Sequence, residues 1–297
     1  MAAAFALGAF AVFCWGVTPA ITSFQVTEFP AVLGGIMRSA LAVPAAVVCI
    51  LVMRLRAPED RSTWMWLSFS GLAAFFGFPI LFTMGVAETS TTHAALILAC
   101  MPVVSGGLGA VMEKRAPRII WFVGAGLAMI GEVFLIGGRD ASGEATLYGD
   151  LLTAAAAIIA GAGYVAGSRV TARIGTWSTT FWAVAIIGSL QIPLMIWLGR
   201  EVDLASVTWV GWTSTAFLVM FSTVLAYASW YWALNHGSVV RIAPIQFGQP
   251  VVSVFVAVLL LGEALTGTVA ISTLMIIGGI VLASRGRRAP VVAEKQV

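Results

Sequence analysis

Three sets of side chains carry polar or charged chemistry inside stretches that are otherwise oily. In "APIQFGQPVVSVF", Gln246, Gln249 and Ser253 recur at three and four residues, the spacing of one helix face. Their amides and hydroxyl can bond a polar ligand or cavity water. They can equally bond neighbouring helices, at about 0.6 kcal/mol per contact in membranes. Two charges, Arg38 and Glu132, also lie within apolar runs. Such charges are costly unless paired or wet, so they are expected to be neighbours at one end of a cavity or to face a charged ligand. The other possibility is that Arg38 snorkels outward and Glu132 is protonated. Finally, aromatics and hydroxyls recur at helical spacing: Trp15, Thr18 and Thr22; Phe75, Phe78 and Phe82; Gly161, Tyr164 and Ser168; Thr223, Tyr227 and Trp230. Facing inward, they would suit flat apolar groups and, through cation–π contacts, organic cations. Facing outward, they would only meet lipid.

The elements that must position these groups are membrane helices. The chain has 297 residues, 60% hydrophobic and only 10% charged, where a soluble domain carries about 25% charged residues. Apolar runs of about 20 residues separate the charge clusters, long enough as helices to span a hydrocarbon core. Ten spans are predicted, near 3–23, 31–53, 64–86, 91–111, 118–138, 148–168, 178–198, 209–233, 239–261 and 267–285. The N-terminal run has no basic residue ahead of it and reads as the first span rather than a signal peptide. The fold class is therefore all-α and polytopic.

Basic residues set the orientation. With the N-terminus inside, Arg54, Arg56, Arg61, Lys114, Arg115, Arg118, Arg169, Arg173, Arg241, Arg285, Arg287, Arg288 and Lys295 are cytoplasmic. Only Arg139 and Arg200 fall outside, so both termini are expected in the cytoplasm. The net charge of +3 reflects this bias rather than affinity for nucleic acid. Cys14, Cys49 and Cys100 lie in separate apolar runs and read as packing residues. "GAGYVA" fits a dinucleotide-binding pattern, but inside a span its glycines read as helix contacts. His93 and His236 are expected at opposite membrane surfaces. No nucleophile–base set or nucleotide-hydrolysis loop is present, so neither an enzyme nor an ATP-driven pump is expected, and no cofactor or metal.

The chain also repeats itself. "HAALILACMPVVSGGLGAVMEKRAPR" resembles "RIAPIQFGQPVVSVFVAVLLLGEALTG", with Pro102 and Pro250 offset by 148 residues. The same offset relates Gly131 to Gly279 and Arg139 to Arg287. Five spans per half would invert the second half relative to the first, the arrangement of many transporters. The expected organisation is a first repeat at 1–140, a second at 145–288 and a cytoplasmic tail at 289–297. In a continuous ninth span Pro250 would free the carbonyl of Gln246, as Pro102 would free that of Leu98. Gln249 and its counterpart Met101 would then lie about 15 Å deep, near the bilayer midplane.

"LLLGEALTGTVAISTLMIIGGIVLASR", "YASWYWALNHGSVVRIAPIQFGQPVVS", "FCWGVTPAITSF", "MRSALAVP" and "EKRAPRIIWFVGAGLAMIG" resemble the EamA-type members of the drug/metabolite transporter superfamily. The chain is most similar to the YddG-type aromatic amino acid exporters. The resemblance implies a ten-helix exporter of small metabolites in a bacterial inner membrane. The residues themselves suggest a binding cavity formed by Trp15, Thr18, Phe78, Met101, Tyr164, Tyr227, Trp230, Gln246 and Gln249, with Arg38 and Glu132 as a gate or ion pair. Aromatic amino acids are the expected cargo, with export of aromatic cations as the alternative and a membrane-embedded lipid enzyme as a third. The expected partners are a small-molecule substrate and the lipid bilayer, and the expected assembly a monomer or weak homodimer.

Overall fold

The computed structural model describes residues 2–101, 103–104, 107–108, 111, 118–137, 145–237, 245 and 248–286. Its helices are α1 (Ala2–Val26), α2 (Ala31–Ala40), α3 (Val43–Val52), α4 (Arg61–Leu72), α5 (Phe78–Glu88), α6 (Thr91–Ala99) and α7 (Ile119–Gly137). They continue with α8 (Leu147–Ile174), α9 (Thr176–Gly199), α10 (Trp209–Phe217), α11 (Ala226–Gly237), α12 (Gln249–Leu261) and α13 (Gly267–Gly286). π-Helical turns at Ala73–Gly77 and Leu218–Leu225 join α4 to α5 and α10 to α11. No strand occurs among the described residues.

Six helical stretches among the described residues are long and apolar enough to cross a membrane: 2–26, 31–52, 61–88, 147–174, 176–199 and 209–230. Shorter apolar helices cover 119–135, 249–261 and 267–283. The expected fourth span is represented by α6 and a few helical positions beyond it. The second span is broken at Leu41 and Ala42, where Pro44 enters the first turn of α3, a position where its missing N–H costs nothing. Pro250 likewise lies in the first turn of α12, which begins at Gln249. The expected kink inside a longer helix is therefore a helix start within the described residues.

Packing follows a regular exchange of partners. α1 packs on α10, the second π-turn, α11 and α12, while α8 packs on α4, the first π-turn, α5 and α6. α9 lies against α2 and α3, and α7 lies against α13. Glycines permit the last of these. A Cβ on Gly124 would stand 2.2 Å from the Ala283 nitrogen, and one on Gly279 would stand 2.6 Å from the Gly124 carbonyl oxygen. The two backbones thus meet directly, as small residues allow in membranes.

Side chains clamp the helix ends. Asp60 caps α4 through the Thr63 amide at 2.9 Å and meets Arg173 of α8 at 3.1 Å. At the other end of the bundle Glu28 accepts from the Thr208 amide at 2.9 Å and its hydroxyl at 2.7 Å. These bonds hold the Glu28 carboxyl below its ordinary range.

Candidate functional site

The site is built on the two π-turns. A π-turn inserts one residue into a helix and leaves a carbonyl without its usual amide. In the first turn the cause is Pro79: it has no N–H to offer the Phe75 carbonyl four residues back. Gln191 Nε2, from α9, donates to that carbonyl at 2.9 Å. In the second turn the Ala226 amide bonds Phe221 instead, so the Ser222 carbonyl is open. Trp15 Nε1, from α1, donates to it at 3.0 Å. Residues 73–77 precede residues 221–225 by 148 positions, the offset already seen in the sequence. Each turn is therefore held by a side chain from another span.

Arg38 of α2 points between these turns. Its Nη2 donates to Ser222 Oγ at 2.9 Å and its Nε to Thr223 Oγ1 at 3.2 Å. Thr18 Oγ1 lies 2.8 Å from Ser222 Oγ. The guanidinium carbon is 5.9 Å from the centre of the Phe78 ring. A cleft is lined by Arg38, Ser39, Ala74, Phe75, Phe78, Pro79, Thr223 and Tyr227. Its volume is about 10 Å³, room for about one water. Beside it, Trp15 meets Tyr227 and Trp230 edge-on, with ring centres 5.3 and 5.7 Å apart.

The electrostatics are one-sided. No carboxylate lies within ion-pairing distance of Arg38 among the described residues; its donors meet neutral hydroxyls. A guanidinium stays charged in any such setting, and within a membrane span that charge is expensive unless something compensates it. The cleft is thus a cationic point walled by aromatic rings. In this state it has room for about one water, and its chemistry is that of an anion-attracting point beside aromatic faces.

Of the residues expected from the sequence, the structure gathers Trp15, Thr18, Arg38, Phe78, Tyr227 and Trp230. Tyr164 lies within electrostatic reach of Tyr227, with its side chain largely exposed. Met101 and Gln249 are half-buried, and Ser253 bonds the Gly16 carbonyl at 2.7 Å as well as that of Gln249. Pro250 is buried. Gln246, Pro102 and the side chain of Glu132 lie outside the described residues. Phe82, expected beside Phe75 and Phe78, is fully buried and stacked on Phe78 instead of lining the cleft. Ser39, Gln191 and Ser222 were not expected. Pro79 was the available signal for Gln191, because a proline inside an apolar run implies a carbonyl in need of a donor. A larger cavity of about 390 Å³ lies at one end of the bundle, lined by Thr63, Trp66, Arg169, Val170, Ala172 and Arg173. It is a groove at helix termini, remote from the π-turns.

The EamA-like transporter family matches this chain twice, over residues 2–137 and 147–285. The chain belongs to that family. A Bacillus subtilis (strain 168) transporter, YdeK, is 24% identical over 82% of this chain and 83% of its own. A probable amino-acid metabolite efflux pump of Salmonella typhimurium is 27% identical over 71% of this chain and 73% of its own. A solved crystal structure shares the fold with a TM-score of 0.66 at 21% identity, covering 96% of this chain and 97% of the other. This EamA-family chain is therefore a multi-pass membrane transporter of a small molecule and not an enzyme.

Proposed function

We propose that this EamA-family protein exports small metabolites that pair an aromatic side chain with a carboxylate, aromatic amino acids foremost, across a bacterial inner membrane. The observation that carries this reading is Arg38: a cation inside a span, bonded to neutral hydroxyls and beside an aromatic wall. A substrate carboxylate would supply the missing anion, and the rings around Tyr227 would take the side chain. The efflux-pump relative, named for amino-acid metabolites, supports the same cargo.

Transport would proceed by alternating exposure of this cleft. In this reading the chain is ten spans in two inverted halves with both termini cytoplasmic. Support comes from the double family match, from the π-turns at equivalent positions, and from the exchange of partners between α1 and α8. Glu132 remains a proposed partner for Arg38 in one of the exposed states. Gln246, Gln249 and Met101 would extend the cavity wall.

The rival cargo, an aromatic cation, fits the rings but meets Arg38 as a like charge in a poorly screened site. Counterflow of labelled tryptophan and of methyl viologen in proteoliposomes separates the two. Tryptophan is expected to be carried by the wild type, weakly by Arg38→Lys and not by Arg38→Met. Methyl viologen carried equally by all three proteins would overturn the reading.

A further inference from the structure

The first turn of α6 is tied to two elements of the second matched segment through ionisable groups that the cleft does not use. Ser90 caps α6 by accepting from the His93 amide at 3.2 Å. The His93 ring places Nδ1 3.2 Å from both carboxylate oxygens of Asp150, on α8. Asp150 is fully buried and His93 nearly so. Thr89 Oγ1 adds a bond to Asp150 at 2.6 Å. From another direction Glu263 accepts from the amides of Thr91 and Thr92 at 2.7 and 2.9 Å. Gly262, in the left-handed region at φ 69°, ends α12 and turns Glu263 toward α6. One imidazole thus stands in a helix turn that two carboxylates hold from two sides.

We propose that His93 and Asp150 form a proton-binding site that latches this end of the transporter shut. With the imidazole protonated, its charge attracts Asp150 and offsets Glu263. With the imidazole neutral, a hydrogen bond to Asp150 remains, but two carboxylates then share the region with only the amide ends of α6 and α8 to balance them. Loss of the proton loosens the contact of α6 with α8 and with the α12–α13 turn.

The other neighbours of α6 leave this arithmetic unchanged among the described residues. Glu88 ends α5 with its side chain exposed. At this end, α1 and α13 present no ionisable side chain. The acid on α7 is Glu132, whose side chain is outside the described residues. Inward from the pair lies an apolar plug in which Phe82, Val86, Ala94 and Ala156 pack with Phe78 and Leu98. Phe78, at the Arg38 cleft, is about 15 Å along α5 from Glu88. The proton therefore exchanges from the near end, and opening that end must part the latch before the plug.

This inference rests on the alternating-exposure reading only for its consequence in transport, so one arm of the test needs no substrate. Hydrogen exchange of amides 91–97, corrected for intrinsic chemistry, is followed in full-length protein in nanodiscs between about pH 5 and pH 8. Wild-type protection is expected to fall as pH rises, in step with the titration of the His93 ring followed by nitrogen NMR in a His236→Gln background. His93→Gln should show no such dependence, and Glu263→Gln should keep it with lower protection throughout. Wild-type protection that does not change with pH, a His93 ring that does not titrate, or an unchanged response in His93→Gln each overturns the proposal. If His93→Gln does not fold, the wild-type comparison of ring titration and protection decides alone. In the transport arm, tryptophan counterflow should speed up as pH rises on the near side in the wild type and lose that dependence in Asp150→Asn. Absence of tryptophan counterflow at every pH would count against the cargo assignment, while the exchange arm would still judge the latch.

Discussion

Arg38 and Ser222 are 184 residues apart in sequence, yet Arg38 Nη2 donates to Ser222 Oγ at 2.9 Å. The bond joins α2 to the π-turn of the eighth expected span. It ties the two family-matched segments together where a cation, hydroxyls and aromatic rings converge within the spans. The guanidinium is ionised, so its bonds to these hydroxyls are already charge-assisted, but neutral hydroxyls do not balance its charge. A carboxylate entering the cleft would displace Ser222 and Thr223 and supply that balance.

Gln191 should be a stabilising residue for the first π-turn. Gln191→Leu leaves the Phe75 carbonyl with neither Pro79 nor a side chain to donate to it. The expected cost is about 1–3 kcal/mol, read as a lower melting temperature. Pro79→Ala restores a backbone amide, so the double mutant should lose less than the sum of the singles. Strict additivity would mean that the Gln191 bond is not compensating for the proline.

The α7–α13 crossing predicts a sharp contrast between two glycines of one helix. Gly124→Ala puts a methyl 2.2 Å from a backbone nitrogen, whereas a Cβ on Gly126 meets nothing within 4 Å. Gly124→Ala should cost about 1–3 kcal/mol, as overpacking does, and Gly126→Ala should be nearly silent. Yields and melting temperatures of the two purified variants make the comparison. Equal behaviour would place the two helices further apart than described.

Gln249 offers a test of how far the cavity wall extends. If its amide faces substrate, Gln249→Leu should raise the apparent KM about two- to tenfold at an unchanged melting temperature. Met101→Gln, at the equivalent position, should weaken an apolar cargo more than a polar one. A lower melting temperature with an unaltered KM would assign Gln249 to packing.

Much of this was legible in the sequence, and the reasons differ by residue. Trp15, Thr18, Phe78, Tyr227 and Trp230 followed helical spacing, and α1, α5 and α11 keep that spacing on either side of the π-turns. Arg38 declared itself by its charge in an apolar run. The π-turns were hidden because an inserted residue leaves no periodic trace; only Pro79 hinted at the first. Phe82 showed the limit of a stripe: it keeps the i, i+4 spacing to Phe78 and stacks on that ring, yet it packs into the apolar plug rather than lining the cleft. The sequence places His93 by its depth alone, and its partner Asp150, 57 residues away, emerges only from the packing of α6 on α8. Pro250 was expected inside a longer helix, whereas α12 begins one residue before it.

The central claim is that Arg38 recognises a carboxylate on an aromatic molecule. Its most direct test is calorimetric binding of tryptophan and of tryptamine, which lacks the carboxylate, to wild type and to Arg38→Met, with folding checked by melting temperature. Charge-assisted bonds contribute about 1.5–3 kcal/mol. The wild type should therefore prefer tryptophan by roughly ten- to a hundredfold, and Arg38→Met should bind both alike. A preference for tryptophan that survives in Arg38→Met, or a wild type that binds tryptamine more tightly, would contradict the account.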